Sequence, residues 1–392
     1  MFELSQVELA KMGASITTRE IKQEPELWEE TLQIYQQHQA EIVSFLDNVK
    51  DQAQQKIRVI FTGAGTSQYV GDTIVPYLRK YGNTAAYSFE SIGTTDIVSA
   101  PEETLLFDEP TILVSFARSG NSPESVAAVN LAEKNVKNIY HLMITCAESG
   151  ALAVNGKKAA NTLVLLMPER SNDGGFAMTG SFSCMTLAAL LTFDQGDLRT
   201  KTSYVTNLRD LGHEVIARET EIQKFMGLDF ERIIYLGSGS LAGLTREAQL
   251  KVLELTAGKI ATVFDSSMGF RHGPKSFVNE KTLVFDFVNN DEYTRDYDID
   301  VMEEIKNDQI ALKAMTIGQI GQRNFSGDKF EFTKSSEALP DGYLALADIM
   351  FAQTLALLTS IKINNTPDTP SPTGTVNRVV KEIGRASCRE RV

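Results

Sequence analysis

A short pattern occurs twice in this chain. Lys56-Ile57-Arg58-Val59-Ile60-Phe61-Thr62-Gly63-Ala64-Gly65-Thr66 is answered by Glu231-Arg232-Ile233-Ile234-Tyr235-Leu236-Gly237-Ser238-Gly239-Ser240, with the glycine pair in register. In both copies a β-rich run predicts a strand, the glycines predict a tight turn, and a helix is expected to follow. Two such units at matching offsets predict a duplicated α/β architecture. In the first half, further strands are expected at 84–90, 111–116, 139–145 and 161–167. In the second, residues 281–288 take the place that 111–116 hold in the first. Strands alternating with helices imply mostly parallel sheets covered on both faces. At 392 residues the chain is long enough for two such cores. The domain division is a helical N-terminal segment (1–50), a first domain (51–215), a second domain (216–381) and a tail (382–392). The N-terminal segment predicts one helix from Thr17 to Asn48, with Pro25 near its start and Trp28 as a packing anchor.

Composition narrows the function. A net charge of −13 argues against nucleic acid or an anionic membrane surface as partner. An anionic substrate is compatible with it only if the site supplies its own positive potential. The opening MFELSQVELAKMG has acidic residues where a signal peptide needs a basic region, and no apolar run approaches a membrane span. Cys146, Cys184 and Cys388 form neither a disulfide framework nor a metal spacing, and the four histidines include no HxxxH pair. No metal and no organic cofactor is expected, and the setting is reducing and cytoplasmic. The last eleven residues, EIGRASCRERV, carry no periodicity and read as a non-native tail.

Two loops at predicted strand ends carry the first chemical signal. GAGTS (Gly63–Ser67) follows one strand and SGNS (Ser119–Ser122) follows another. Gly65 lets the backbone present N–H groups, and Thr66, Ser67, Ser119, Asn121 and Ser122 add hydroxyl and amide donors beside helix N-termini. Together they describe a phosphate cradle; taken singly, each is also what a capped helix after a tight turn looks like. GAGTSQYVG is not the dinucleotide fingerprint, although Glu90 stands where a ribose-binding acid could, and there is no P-loop. The second half has VNNDEYTRD where the first has its SGNS loop. The second chemical signal is 246–276, read as a helix, a strand and a loop ending in Arg271-His272-Gly273-Pro274. Glu247, Lys251 and Glu254 share one helix face. They are either a solvated ion-pair ladder or, with His272, the makings of proton transfer on a sugar.

GAGTS, SFARSGNSPES and the tandem repeat resemble the sugar isomerase (SIS) domain family. LxxEAQLKVLELTAGK, SSMGFRHGPKS and SPTGTVNRVVK resemble its tagatose-6-phosphate ketose/aldose isomerase branch, also called galactosamine-6-phosphate deaminase/isomerase. The likeness runs from Thr17 to Lys381. It implies two tandem SIS domains, each a mostly parallel flavodoxin-like or Rossmann-like sheet flanked by helices.

The isomerase half of glucosamine-6-phosphate synthase is similar too, and its pattern falls here on Lys251, Glu254 and His272. By that resemblance Glu254 moves the proton between C2 and C1, His272 assists ring opening from a neighbouring subunit, and the C-terminal lysine is Lys381. Phosphate would be held by Gly65, Thr66, Ser67, Ser119, Asn121 and Ser122. Arg118 replaces a glutamine of the synthase pattern and offers a bidentate phosphate contact. Thr179 and Ser181, in a polar loop, are candidate sugar contacts.

The implied activity is a 6-phosphosugar aldose–ketose isomerase coupled to deamination, converting galactosamine-6-phosphate to tagatose-6-phosphate and ammonia. The partners would be a small sugar phosphate and further copies of the chain, in a dimer or tetramer. A non-catalytic sugar-phosphate sensor and a deglycase acting on fructosamine phosphates remain open as other readings.

Overall fold

The computed structural model describes residues 1–374, so Lys381 and the tail lie outside the described residues. The first sheet contains β1 (Ile57–Thr62), β2 (Tyr87–Ser91), β3 (Thr111–Ala117), β4 (Ile139–Thr145) and β5 (Thr162–Leu166), in the order β2-β1-β3-β4-β5. The second contains β6 (Arg232–Gly237), β7 (Ala261–Ser266), β8 (Thr282–Phe287), β9 (Lys313–Gln319) and β10 (Asp328–Phe332). Read from its β7 edge, its order is β7-β6-β8-β9-β10. Every neighbouring pair is parallel. The two sheets therefore share one topology, and the sequence repeat is a repeat of the fold. All residues of β1, β3 and β8 are buried, which is why they read as continuous apolar runs and not as alternating ones.

Two expectations shift. The strand expected from residue 84 starts at Tyr87, because the N–H groups of Ala86 and Tyr87 turn back to the Asn83 carbonyl. The single N-terminal helix is two, Ser15–Lys22 and Glu24–Ala53. Pro25 lacks an N–H and its ring opposes a continuous helix through Gln23. Trp28 is fully buried, against Gly212, where a Cβ would come within 2.6 Å of its ring.

The helices that follow the duplicated turns, Thr66–Tyr81 and Ser240–Leu255, pack antiparallel on each other. Gly243 lies against the backbone of Asp72, where a Cβ would stand 2.2 Å from a carbonyl oxygen. Arg246 pairs with Asp72 at 3.0 Å and lies over the Tyr69 ring. Further along, Lys251 reaches Thr66. Helix Gly180–Phe193 is buried over its whole length beside the first of these helices. Helix Asp341–Lys362 takes the corresponding place beside the second. It is long and apolar enough to cross a membrane, but 94% of that stretch is buried inside the fold, as in a core helix.

Candidate active site

β1 and β3 are neighbours, and the strand order reverses between them, so the loops beyond both open at the crevice where parallel sheets bind ligands. Gly65 turns the chain with φ +57° and ψ −127°, a conformation that strains any residue with a Cβ. Gly63 is held by contact: a Cβ there would lie 2.5 Å from the backbone of Ser67. Thr66 and Ser67 begin a 16-residue helix, which places the positive end of its dipole at the crevice. Beyond β3, the Asn121 N–H donates to Ser119 Oγ at 3.3 Å, and Asn121 Oδ1 accepts from the Ala151 N–H at 2.9 Å. The Ser122 and Ser125 hydroxyls share a 2.6 Å hydrogen bond. Asn121 and Ser122 thus also hold the loop itself.

Helix Ser240–Leu255 brings its charged face into this crevice and not into solvent. Glu247 and Lys251 are fully buried. The Lys251 ammonium lies 2.7 Å from Glu254 Oε2 and 3.1 Å from Glu247 Oε1, and it donates to Thr66 Oγ1 at 3.0 Å. One cation therefore joins the glycine-turn cradle of the first half to the carboxylates of the second. Burial alone would lower the lysine, but Glu247 and Glu254 outweigh it and hold Lys251 above the ordinary lysine value. Burial, reinforced by the charge of Glu254, pushes Glu247 up to about 7 against the pull of Lys251. Glu254 is the partly accessible member, with its side chain 22% exposed. It lines a cavity of about 390 Å³ with Phe176, Leu253 and Ser371–Thr373, the last from the SPTGT stretch.

Arg118 is buried, and its Nη1 donates to the carbonyls of Gly175 and Phe176 at 3.3 Å each. It therefore supports the loop that walls the Glu254 cavity. Thr179 ends the same loop and Ser181 lies in the first turn of the helix after it, and both hydroxyls are buried on Asp173, at 3.2 and 2.5 Å. Their N–H groups donate to the same carboxylate. In the structure these two residues fix the start of helix Gly180–Phe193. Glu90 is bound in a two-pronged ion pair to Arg58, which accounts for that acid without a ribose.

His272 stands apart from this cluster. Its turn follows Phe270, which packs with Ile234, Leu236 and Ile299 on one face of the second sheet. Leu244, Ala248, Val252 and Leu255, from the helix carrying Glu254, pack with Ile233 and Tyr235 on the other. The sheet separates the two residues within one chain. His272 is exposed, while its neighbours Arg271 and Lys275 are tied to Glu304.

The SIS domain family matches residues 53–193. The D-galactosamine-6-phosphate deaminase AgaS of Escherichia coli is 41% identical over 372 residues, covering 94% of each chain. The chain belongs to the SIS domain family. A tagatose-6-phosphate ketose/aldose isomerase from Escherichia coli shares its structure with a TM-score of 0.83 at 38% identity, over 90% of this chain and 95% of that one. A solved structure from Clostridium novyi NT reaches a TM-score of 0.91 at 42% identity over 98% of both chains. The topology shows a second SIS-type sheet at 232–332, downstream of the matched residues.

Sequence reasoning placed the SIS loops and the helix face correctly in the chain but left Glu247 as a charge on a ladder. Its spacing from Lys251 was visible. Its complete burial was not, because the burial comes from the other SIS half packing on that face.

Proposed function

We propose that this chain is an amino-sugar 6-phosphate deaminase/isomerase that converts D-galactosamine-6-phosphate to tagatose-6-phosphate and ammonia. The observation that carries the reading is the Lys251 ammonium, held between Thr66 of the cradle and Glu254. That bridge puts a base and a fixed cation within one hexose phosphate of an anion cradle. The relatives named for this deamination and for the tagatose-6-phosphate isomerisation support the choice of substrate.

The phosphate docks on Gly65, Thr66, Ser67, Ser119 and Ser122, and its binding energy orients the far end of the sugar. Asn121 holds the loop beside it, and Arg118, braced on the Gly175 and Phe176 carbonyls, is the candidate guanidinium contact to the phosphate. His272, contributed by a neighbouring subunit, opens the ring. The sheet between His272 and Glu254 of one chain favours that arrangement over action within the chain. Glu254 takes the C2 proton, the electron pair forms a C1–C2 double bond, and negative charge gathers on O1, where Lys251 stabilises it. Glu254 then returns the proton to C1. This leaves an iminium at C2; water adds there and ammonia departs, giving the ketose phosphate. Lys381 is a second candidate cation for O1. The enzyme is proposed to work in the cytoplasm, as an oligomer.

The test is to incubate the protein with galactosamine-6-phosphate and with glucosamine-6-phosphate, and to assay ammonia and ketose phosphate. Release from the galacto epimer in preference supports the reading. Binding of both without turnover would instead identify a sensor, and amine release only from a fructosamine phosphate would identify a deglycase.

A further inference from the structure

Helix Ser15–Lys22 belongs to neither sheet, yet one of its side chains reaches the wall of the candidate site. The Glu20 carboxylate is buried and accepts from the Gly174 N–H at 2.6 Å and from the Gly175 N–H at 3.2 and 3.3 Å. The glycines permit that approach: a Cβ on Gly175 would lie 2.9 Å from Glu20 Oε2. On the far side of the same turn, the carbonyls of Gly175 and Phe176 accept from Arg118, and Phe176 lines the cavity with Glu254. Asp173, the residue before the glycines, anchors the other end of the loop through Thr179 and Ser181. The Gly174–Phe176 turn is therefore clamped between an acid outside the sheets and the arginine beside the phosphate loop. Gly175 is held from both sides, its N–H by Glu20 and its C=O by Arg118, so a shift of the acid reaches the guanidinium through that one residue.

We propose that Glu20 is a positioning residue for the phosphosugar site, setting the Gly174–Phe176 turn and, through its carbonyls, the guanidinium of Arg118. This rests on the phosphosugar reading of the cradle. It makes the N-terminal helices part of the working site, and the Gly174-Gly175 doublet the point at which they enter it.

The experiment measures kcat and KM for galactosamine-6-phosphate, and competitive inhibition by inorganic phosphate, in full-length Glu20→Gln, Arg118→Lys and the double variant. In Glu20→Gln, KM and the phosphate inhibition constant should both rise on the order of tenfold. The value of kcat should fall by less, and circular dichroism should be unchanged. In the Arg118→Lys background, Glu20→Gln should add little further, because both changes act on one turn. Unchanged KM and phosphate inhibition in Glu20→Gln, or effects that multiply fully in the double variant, would overturn the proposal. Should Glu20→Gln fail to fold, Gly175→Ala crowds the same contact: a raised KM supports the proposal and an unchanged one overturns it. A wild-type protein that binds inorganic phosphate without turning over either aminohexose phosphate would remove the deaminase reading, while the phosphate dissociation constant measured directly by calorimetry in wild type and Glu20→Gln would still decide the role of Glu20.

Discussion

The two halves carry the same cradle and opposite contents. Gly239 has φ +57° and ψ −124°, almost the angles of Gly65, and it too begins a 16-residue helix. At the twelfth position of those helices stand Tyr77 and Lys251, and at the fifteenth Lys80 and Glu254. The second copy also opens onto a cavity of about 710 Å³, lined by Gly239, Ser240, Lys80, Asn290, Asp291 and Asp341 among others. What differs is how the loop donors are used. In the second half the N–H of Asn289 goes to Asp298 at 3.1 Å and that of Asn290 to Asp341 at 2.7 Å. Asp291 caps the next helix and pairs with Lys80 at 3.0 Å. Tyr77 is turned away to Asp194. In the second half, carboxylates of the protein itself already occupy the positions an anion would take. In the first, the corresponding loop carries hydroxyls and no aspartate, and the nearby cations are Lys251 and Arg118. A duplicated fold supplies two cradles, and the proposed function places the chemistry at the one whose loop is not filled by the chain's own carboxylates.

The sharpest way to break that comparison is to exchange the fifteenth positions for inert residues. Glu254→Gln should lower ammonia release from galactosamine-6-phosphate by roughly 10²- to 10⁴-fold, the range for losing a general base. Lys80→Ala, its counterpart, should leave turnover within about twofold, because it removes only an exposed ion pair. Equal losses from the two substitutions would erase the functional asymmetry.

The next effect is on stability. Glu247 is raised to about 7 from 4.5, chiefly by burial. Between those values the folded chain holds a proton that the unfolded chain releases, so the contribution of Glu247 is greatest below pH 4.5 and falls as pH rises to 7. The size is on the order of 3 kcal/mol, converting the shift at 1.36 kcal/mol per unit. Glu247→Gln should remove that slope, and urea unfolding at pH 5 and pH 8 should show the wild type losing more stability over the interval than the variant. Parallel profiles would show that Lys251 keeps Glu247 ionised throughout.

Much of the fold was legible because its signals are local. β4 falls where the sequence put it, and the second glycine of each pair marked its turn through a backbone conformation that strains any residue with a Cβ. The site was legible only in pieces. Thr66, Lys251 and Glu254 each belong to a readable motif, but their contact depends on two helices, far apart in sequence, crossing at Gly243 and Asp72. Asp173 and Glu20 left no pattern. Each acts by accepting backbone N–H groups from a loop, and a backbone donor has no sequence signature. The Thr179 and Ser181 hydroxyls donate to Asp173, and residue type alone does not record which acceptor a hydroxyl has found.

The smallest expected effect separates backbone requirement from ligand requirement. Gly65→Ala and Gly239→Ala impose the same positive φ on a residue with a Cβ, and each should destabilise the chain by about 1–3 kcal/mol. Space does not distinguish them: a Cβ at Gly65 meets nothing within 4 Å, and one at Gly239 meets only Asn289 Nδ2 at 3.7 Å. Thermal or denaturant melts should therefore give similar losses for the two. Inhibition by inorganic phosphate should part them, because in Gly65→Ala the strained turn re-aims the cradle proposed to hold the phosphate, whereas the Gly239 turn has no part in that proposal. If Gly239→Ala weakened phosphate inhibition as much as Gly65→Ala, the second cradle would have to be occupied as well, and the carboxylates at Asp291 and Asp341 would not be excluding the anion.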